Sequence, residues 1–168
     1  MNKFEKLLSG GDLRSLGKSN SVVSTVKSQD DFDDLMKYLD HSDRIIVMRT
    51  ADAVEKITIH YPQYLFKHKK KILQLCKTAI NKELKWHLAL LLPRLNLTPK
   101  EVKSAWDLLS GWTTDKTNSR IVRVNSIQAL YEFSIRDIKL KEKLNLLLTQ
   151  VYKEHIPSLN ARINKLKT

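Results

Sequence analysis

A chain of 168 residues with 42% hydrophobic and 29% charged side chains carries enough apolar material for a folded core and too much for a disordered tail. Its single cysteine, Cys76, excludes an internal disulfide and a cysteine-based zinc site, and no run of 18 apolar residues is present to form a membrane helix. The net charge is +12, and residues 1–40 hold 6 basic against 7 acidic side chains, so the whole excess lies beyond them and favours a polyanionic partner.

The start, Met1-Asn2-Lys3-Phe4-Glu5-Lys6, lacks the apolar region of a secretion signal, which makes the cytoplasm the expected compartment. Phe4, Leu7 and Leu8 predict one amphipathic turn, broken at Gly10-Gly11. Leu13, Leu16, Val22, Val23 and Val26 predict further short helices, so residues 1–28 read as an N-terminal helical cap. The string Gly11 to Ser19 superficially suggests a phosphate loop. It has five residues between Gly11 and Gly17 where such a loop needs four, and no apolar strand precedes it; a cap turn is the better reading.

Ser28 or Gln29 caps a helix over 30–39, whose first turns hold Asp30, Asp31, Asp33 and Asp34, where the helix dipole favours acids. Ser42 is the expected N-cap of a helix over 43–60, and Pro62 falls in a connector. The next helix, 67–79, opens with Lys67-His68-Lys69-Lys70-Lys71; Lys67 and Lys71 share a face, read as a solvated outer surface. Cys76 belongs to its apolar stripe. Asn81 caps 82–95. Thr98-Pro99-Lys100-Glu101 spells a capping box with proline at the first helical position, opening a helix over 99–111. Trp106 lies on its buried stripe, and Trp112, just past Gly111, is expected to be exposed. Asn118 or Ser119 caps 119–135, Asp137 opens 138–154, and Pro157 opens 157–167.

These helices recur with a period. Ala53-Val54-Glu55-Lys56-Ile57, Leu91-Leu92-Pro93-Arg94-Leu95 and Ala129-Leu130-Tyr131-Glu132-Phe133 share one apolar pattern, and Val54, Leu92 and Leu130 stand 38 residues apart. Val102, Trp106 and Leu109 match Leu140, Leu144 and Leu147 at the same offset, each set at helical spacing. The fold expected is all-α, an α-α superhelix of about four helical hairpins (30–60, 64–95, 99–135 and 138–167) behind the N-terminal cap, in one domain. The units resemble HEAT repeats. The strings Gly11-Asp12-Leu13-Arg14-Ser15-Leu16-Gly17-Lys18-Ser19 and Lys85-Trp86-His87-Leu88-Ala89, followed by Leu92-Pro93-Arg94-Leu95, are similar to a family of small bacterial HEAT-repeat proteins. The basic residue that the HEAT pattern places inside each second helix is met by Arg123, whereas Val47 and Lys85 hold the equivalent positions.

No catalytic constellation emerges from the sequence. His41, His60, His68, His87 and His155 form no His-x-x-x-His pair, the acidic run at 30–34 is explained by capping, and no nucleophile elbow is present. Neither a metal site nor a cofactor is expected. The expected function is a non-catalytic binding module whose second helices offer a basic face to an acidic protein. The residues assigned to that face are Arg49, Lys56, Lys85, Trp86, His87, Arg94, Arg120 and Arg123. The alternative is nucleic-acid binding, with phosphates tracked by the same cations and bases stacked on Trp86 or Trp112. HEAT-like alkylpurine DNA glycosylases, which this chain resembles in repeat type and basic charge, imply that such an architecture can hold duplex DNA.

Overall fold

The computed structural model describes residues 3–10 and 19–167. Among them are ten α-helices and no strand. The chain divides into two compact units, Met1–Lys77 and Thr78–Thr168. The Gly11–Ser19 string, Leu13 and Leu16 included, lies outside the described residues apart from the first residue of one helix.

The first unit contains α1 (Lys3–Leu8), α2 (Ser19–Thr25), α3 (Gln29–Met36), α4 (Arg44–His60) and most of α5 (Lys69–Thr78). Helix α4 is its axis, with α1, α2 and α3 packed on it. Phe4, Leu8, Val22, Phe32, Leu35 and Val54 are all fully buried there. Gly10, at φ 78°, takes the left-handed conformation that ends α1 cheaply. Ser28 caps α3 as expected, its side chain accepting from the Asp31 N–H. The cap of α4 is one residue later than expected: Asp43, not Ser42, accepts from the Ile45 N–H at 2.8 Å. An ionised carboxylate at that position also complements the helix dipole. The stretch Pro62–His68 is a 3₁₀ helix, so α5 begins at Lys69 instead of Lys67.

The second unit contains α6 (Lys82–Leu91), α7 (Pro99–Thr114), α8 (Arg120–Ser134), α9 (Ile138–Tyr152) and α10 (Pro157–Lys167). Helix α8 is the hub, with α6, α7, α9 and α10 packed on it. Proline at 93 has no N–H to donate, and the chain tightens there into a 3₁₀ turn over Leu92–Arg94. The capping box at Thr98 is complete: the Thr98 hydroxyl accepts from the Glu101 N–H, and the Glu101 carboxylate accepts from the Thr98 N–H at 2.8 Å. Helix α7 runs through Gly111 to Thr114, a turn further than the sequence suggests, because a single exposed glycine does not break a helix that is otherwise packed. Asp137 caps α9, accepting from the N–H groups of Lys139 and Leu140.

Candidate functional site

The eight residues expected to form a basic face fall into three environments. Three are buried. Arg49, on α4, is 1% exposed, and its Nη1 donates to the carbonyls of Leu8 (2.8 Å), Ser9 (3.1 Å) and Gly10. It satisfies the orphan acceptors at the end of α1 and sets its charge where the helix dipole is negative. Arg123, on α8, is 2% exposed; its Nε donates to the Thr113 carbonyl at 2.7 Å and its Nη2 to both oxygens of Glu154 at 2.8 and 2.9 Å. His155, at φ 53°, turns the chain directly after Glu154. His87 is fully buried, its ring centroid 3.4 Å from that of Trp86.

Three more are half-buried, and two of them, Lys56 and Lys85, are held within their own unit. Lys56 pairs with Asp52 at 2.7 Å and reaches Asn20 at 3.0 Å. Lys85 donates to the Asn118 side chain at 3.1 Å and sits 5.6 Å from the centre of the Trp112 ring, a cation–π arrangement. Arg94 lies in the 3₁₀ turn after α6. Trp86 is half-buried as well, and Arg120 alone of the eight is exposed. Arg49, His87 and Arg123 therefore belong to the interior, and the basic face as drawn from the sequence loses them. Trp112 is also corrected: it is 8% exposed, covered because α7 continues past Gly111. The exposed aromatics are Tyr61, stacked on Tyr64, together with Phe66 and Tyr152.

The lysine cluster at 67–71 also turns inward in part. Lys67 reaches Asp33 at 2.5 Å and Lys71 reaches Asp40 at 2.6 Å and the Met36 carbonyl at 2.8 Å. His68 Nε2 meets Asp33 at 2.7 Å. Burial by itself would raise the Asp33 pKa, but hydrogen bonds from Lys67, Gln29 and His68 bring it down to about 2. Such a carboxylate is ionised and engaged, the opposite of a general acid held ready to donate. The Cys76 thiol is 3% exposed and burial pushes its pKa up to about 12, which keeps it protonated and inert. No group of three or more metal-ligating side chains is gathered among the described residues.

What the second unit does offer is a groove of about 540 Å³. Its walls are the first two turns of α7 and the start of α9. Leu95, Leu97, Val102, Trp106, Phe133 and Leu140 give it an apolar lining, and Lys103, Arg136, Lys139 and Lys143 are four exposed cations along it. Asp107 and Asp137 are its acids, and Asp137 is occupied in capping α9. Helical spacing predicts one buried stripe on α7, through Val102, Trp106 and Leu109, and its match on α9, through Leu140, Leu144 and Leu147. Trp106, Leu109 and Leu144 are indeed buried, whereas Val102, Leu140 and Leu147 stay half-exposed. An apolar cleft with a few convergent polar groups is the usual form of a binding site. Comparison with protein-family models, with curated proteins and with solved structures found no match to this chain.

Proposed function

We propose that this chain is a non-catalytic binding module of HEAT-like helical hairpins that holds an acidic protein partner. The observation that carries this reading is the groove of the second unit, where an apolar floor adjoins four exposed cations. A surface of that kind gains affinity from the apolar contacts and selects its partner by charge. The repeat architecture is supported by the full burial of Val54, Leu92 and Leu130 at their common spacing, and by the side-by-side packing of the second helices α6 and α8. The test is affinity capture with the full chain as bait under low and moderate salt, followed by direct titration of each captured protein. A single acidic protein that binds stoichiometrically and weakens with salt is the expected result. Duplex DNA bound more tightly than any protein would overturn it.

A second reading, nucleic-acid binding, is favoured by one feature of the first unit. Tyr61 and Phe66 are exposed, and the exposed Lys67 and Lys70 follow closely in sequence, a mixture that suits stacking on unpaired bases. Titration of labelled single and double strands across a salt series separates the two readings, because phosphate contacts give a steep loss of affinity with salt.

A further inference from the structure

We propose that the groove between α7 and α9 seats a short acidic amphipathic helix presented by the partner, an inference that rests on the binding-module reading above. The argument starts from length. Along α7 the lining runs from Pro99 to Asp107, about 12 Å of helix. A docked helix using anchors at i, i+3 or i+4, and i+7 covers about 10 Å, so two turns fit. The apolar floor is built for such anchors. Val102 and Leu140 are half-exposed at the edges, with Trp106 and Phe133 largely buried beneath.

Charge then selects the occupant. Lys103 stands on the α7 side, with the exposed Asp107 one turn further on; Arg136, Lys139 and Lys143 stand on the α9 side and the connection before it, so cations outnumber acids along the groove. A helix with carboxylates flanking its apolar stripe meets cations on both sides. Among the described residues, ion pairs engage Lys37, Lys56, Lys67, Lys71 and Arg123, and none of these four groove cations. The connection also carries two exposed apolar residues, Ile135 at 65% and Ile138 at 69%, on either side of Arg136 and Asp137. Beyond the groove, Leu146 lies seven residues after Lys139 and three after Lys143, on the same face of α9, and is 70% exposed. The apolar track therefore continues along α9. A duplex would set phosphates against an apolar floor that satisfies none of them, and a single fatty acid has one carboxylate for four cations.

The probe is a fluorescein-labelled peptide of about four helical turns, with Leu and Phe at i, i+3, i+4 and i+7 and glutamates on the remaining faces. Binding to the full chain is read by anisotropy, and site by a fluorophore on Ser104→Cys, which labels selectively because Cys76 is buried. Micromolar binding is expected, weakened at least about tenfold in K103E/K143E and at least about tenfold for a scrambled peptide of equal charge. The pair R136E/K139E repeats the test should the first variant fold poorly. Equal affinity in the folded variants, or equal affinity for the scrambled peptide, would overturn the proposal. So would self-association of the chain that disappears in K103E/K143E, since the groove would then belong to a second copy. If a captured acidic protein binds and ignores both variants, the groove assignment falls while the binding-module reading stands. If only nucleic acid binds, both fall.

Discussion

Replacing Arg123 by methionine removes a guanidinium of similar bulk from a site that is 2% exposed. Two groups are left behind. The Thr113 carbonyl, in the last turn of α7, loses a donor at 2.7 Å. The Glu154 carboxylate, only 17% exposed, loses the Nη2 donor that both its oxygens accept from. Removing one member of a buried pair costs about 3–5 kcal/mol. Partial access of water to Glu154 moves the expectation to the lower end, about 3 kcal/mol, or a melting temperature lowered by about 6–12 °C. The double variant R123M/E154M strands no charge and should recover about 1–2 kcal/mol of that loss, the remainder reflecting the orphaned carbonyl. The signal is convenient: Trp86, Trp106 and Trp112 are the only tryptophans, and all lie within Thr78–Thr168, so tryptophan fluorescence in urea reports this unit. A loss below about 1 kcal/mol for R123M, or strict additivity of the two substitutions, would refute the interior role of Arg123.

Arg49→Met should release the carbonyls of Leu8, Ser9 and Gly10, and hydrogen exchange at the amides of α1 should quicken by at least about tenfold; unchanged protection would contradict the arrangement. Asp33 has a lowered pKa, so its stabilising contribution is whole above its ordinary value of 3.8 and drains away as pH falls toward about 2. Asp33→Asn should therefore flatten the acid limb of the first unit's stability curve, and parallel limbs in the two proteins would count against the Lys67–Asp33–His68 cluster. Cys76 should resist Ellman's reagent at pH 8 in the native protein and react fully in denaturant, and prompt native labelling would contradict its burial. Thr98→Ala, at an exposed cap, should cost about 1 kcal/mol, visible as a shift in the urea midpoint without a change of slope.

Local signals were legible wherever a residue acts on its own neighbours in sequence. The capping box at Thr98, the cap at Ser28 and the helix start at Asp137 involve partners three residues away or fewer, and each was readable from the chain. The buried rungs Val54, Leu92 and Leu130 were readable because apolar periodicity encodes burial. The basic face was not, because Arg49 answers to carbonyls some forty positions upstream and Arg123 to a carboxylate 31 positions downstream. A signal was nonetheless present. Arg123 stands four residues before Ile127 and seven before Leu130, and Arg49 stands four before Ala53; helical phase alone puts both on the buried stripe. The groove is not legible in the sequence because matching the stripe of α7 to that of α9 says which residues face a neighbour, not how far along the helices that neighbour stays in contact.

Net charge and exposed charge separate in this protein for a structural reason. Each helix end leaves carbonyls without partners, and a buried arginine can serve several at once, as Arg49 does at the end of α1. Cations spent this way raise the formal charge without adding to the field that a partner meets at close range. Lys67 and Lys71 are similarly committed to carboxylates of the first unit, and Lys56 to Asp52. A count of basic residues along α4, α6 and α8 therefore overstates the exposed basic surface, because a helix that packs other helices must direct some of those residues inward. The four cations along the α7–α9 groove differ in kind: they border half-exposed apolar side chains that the fold leaves uncovered. Uncovered apolar surface beside uncommitted charge is what a partner can exploit, since burying the first supplies affinity and matching the second supplies selectivity.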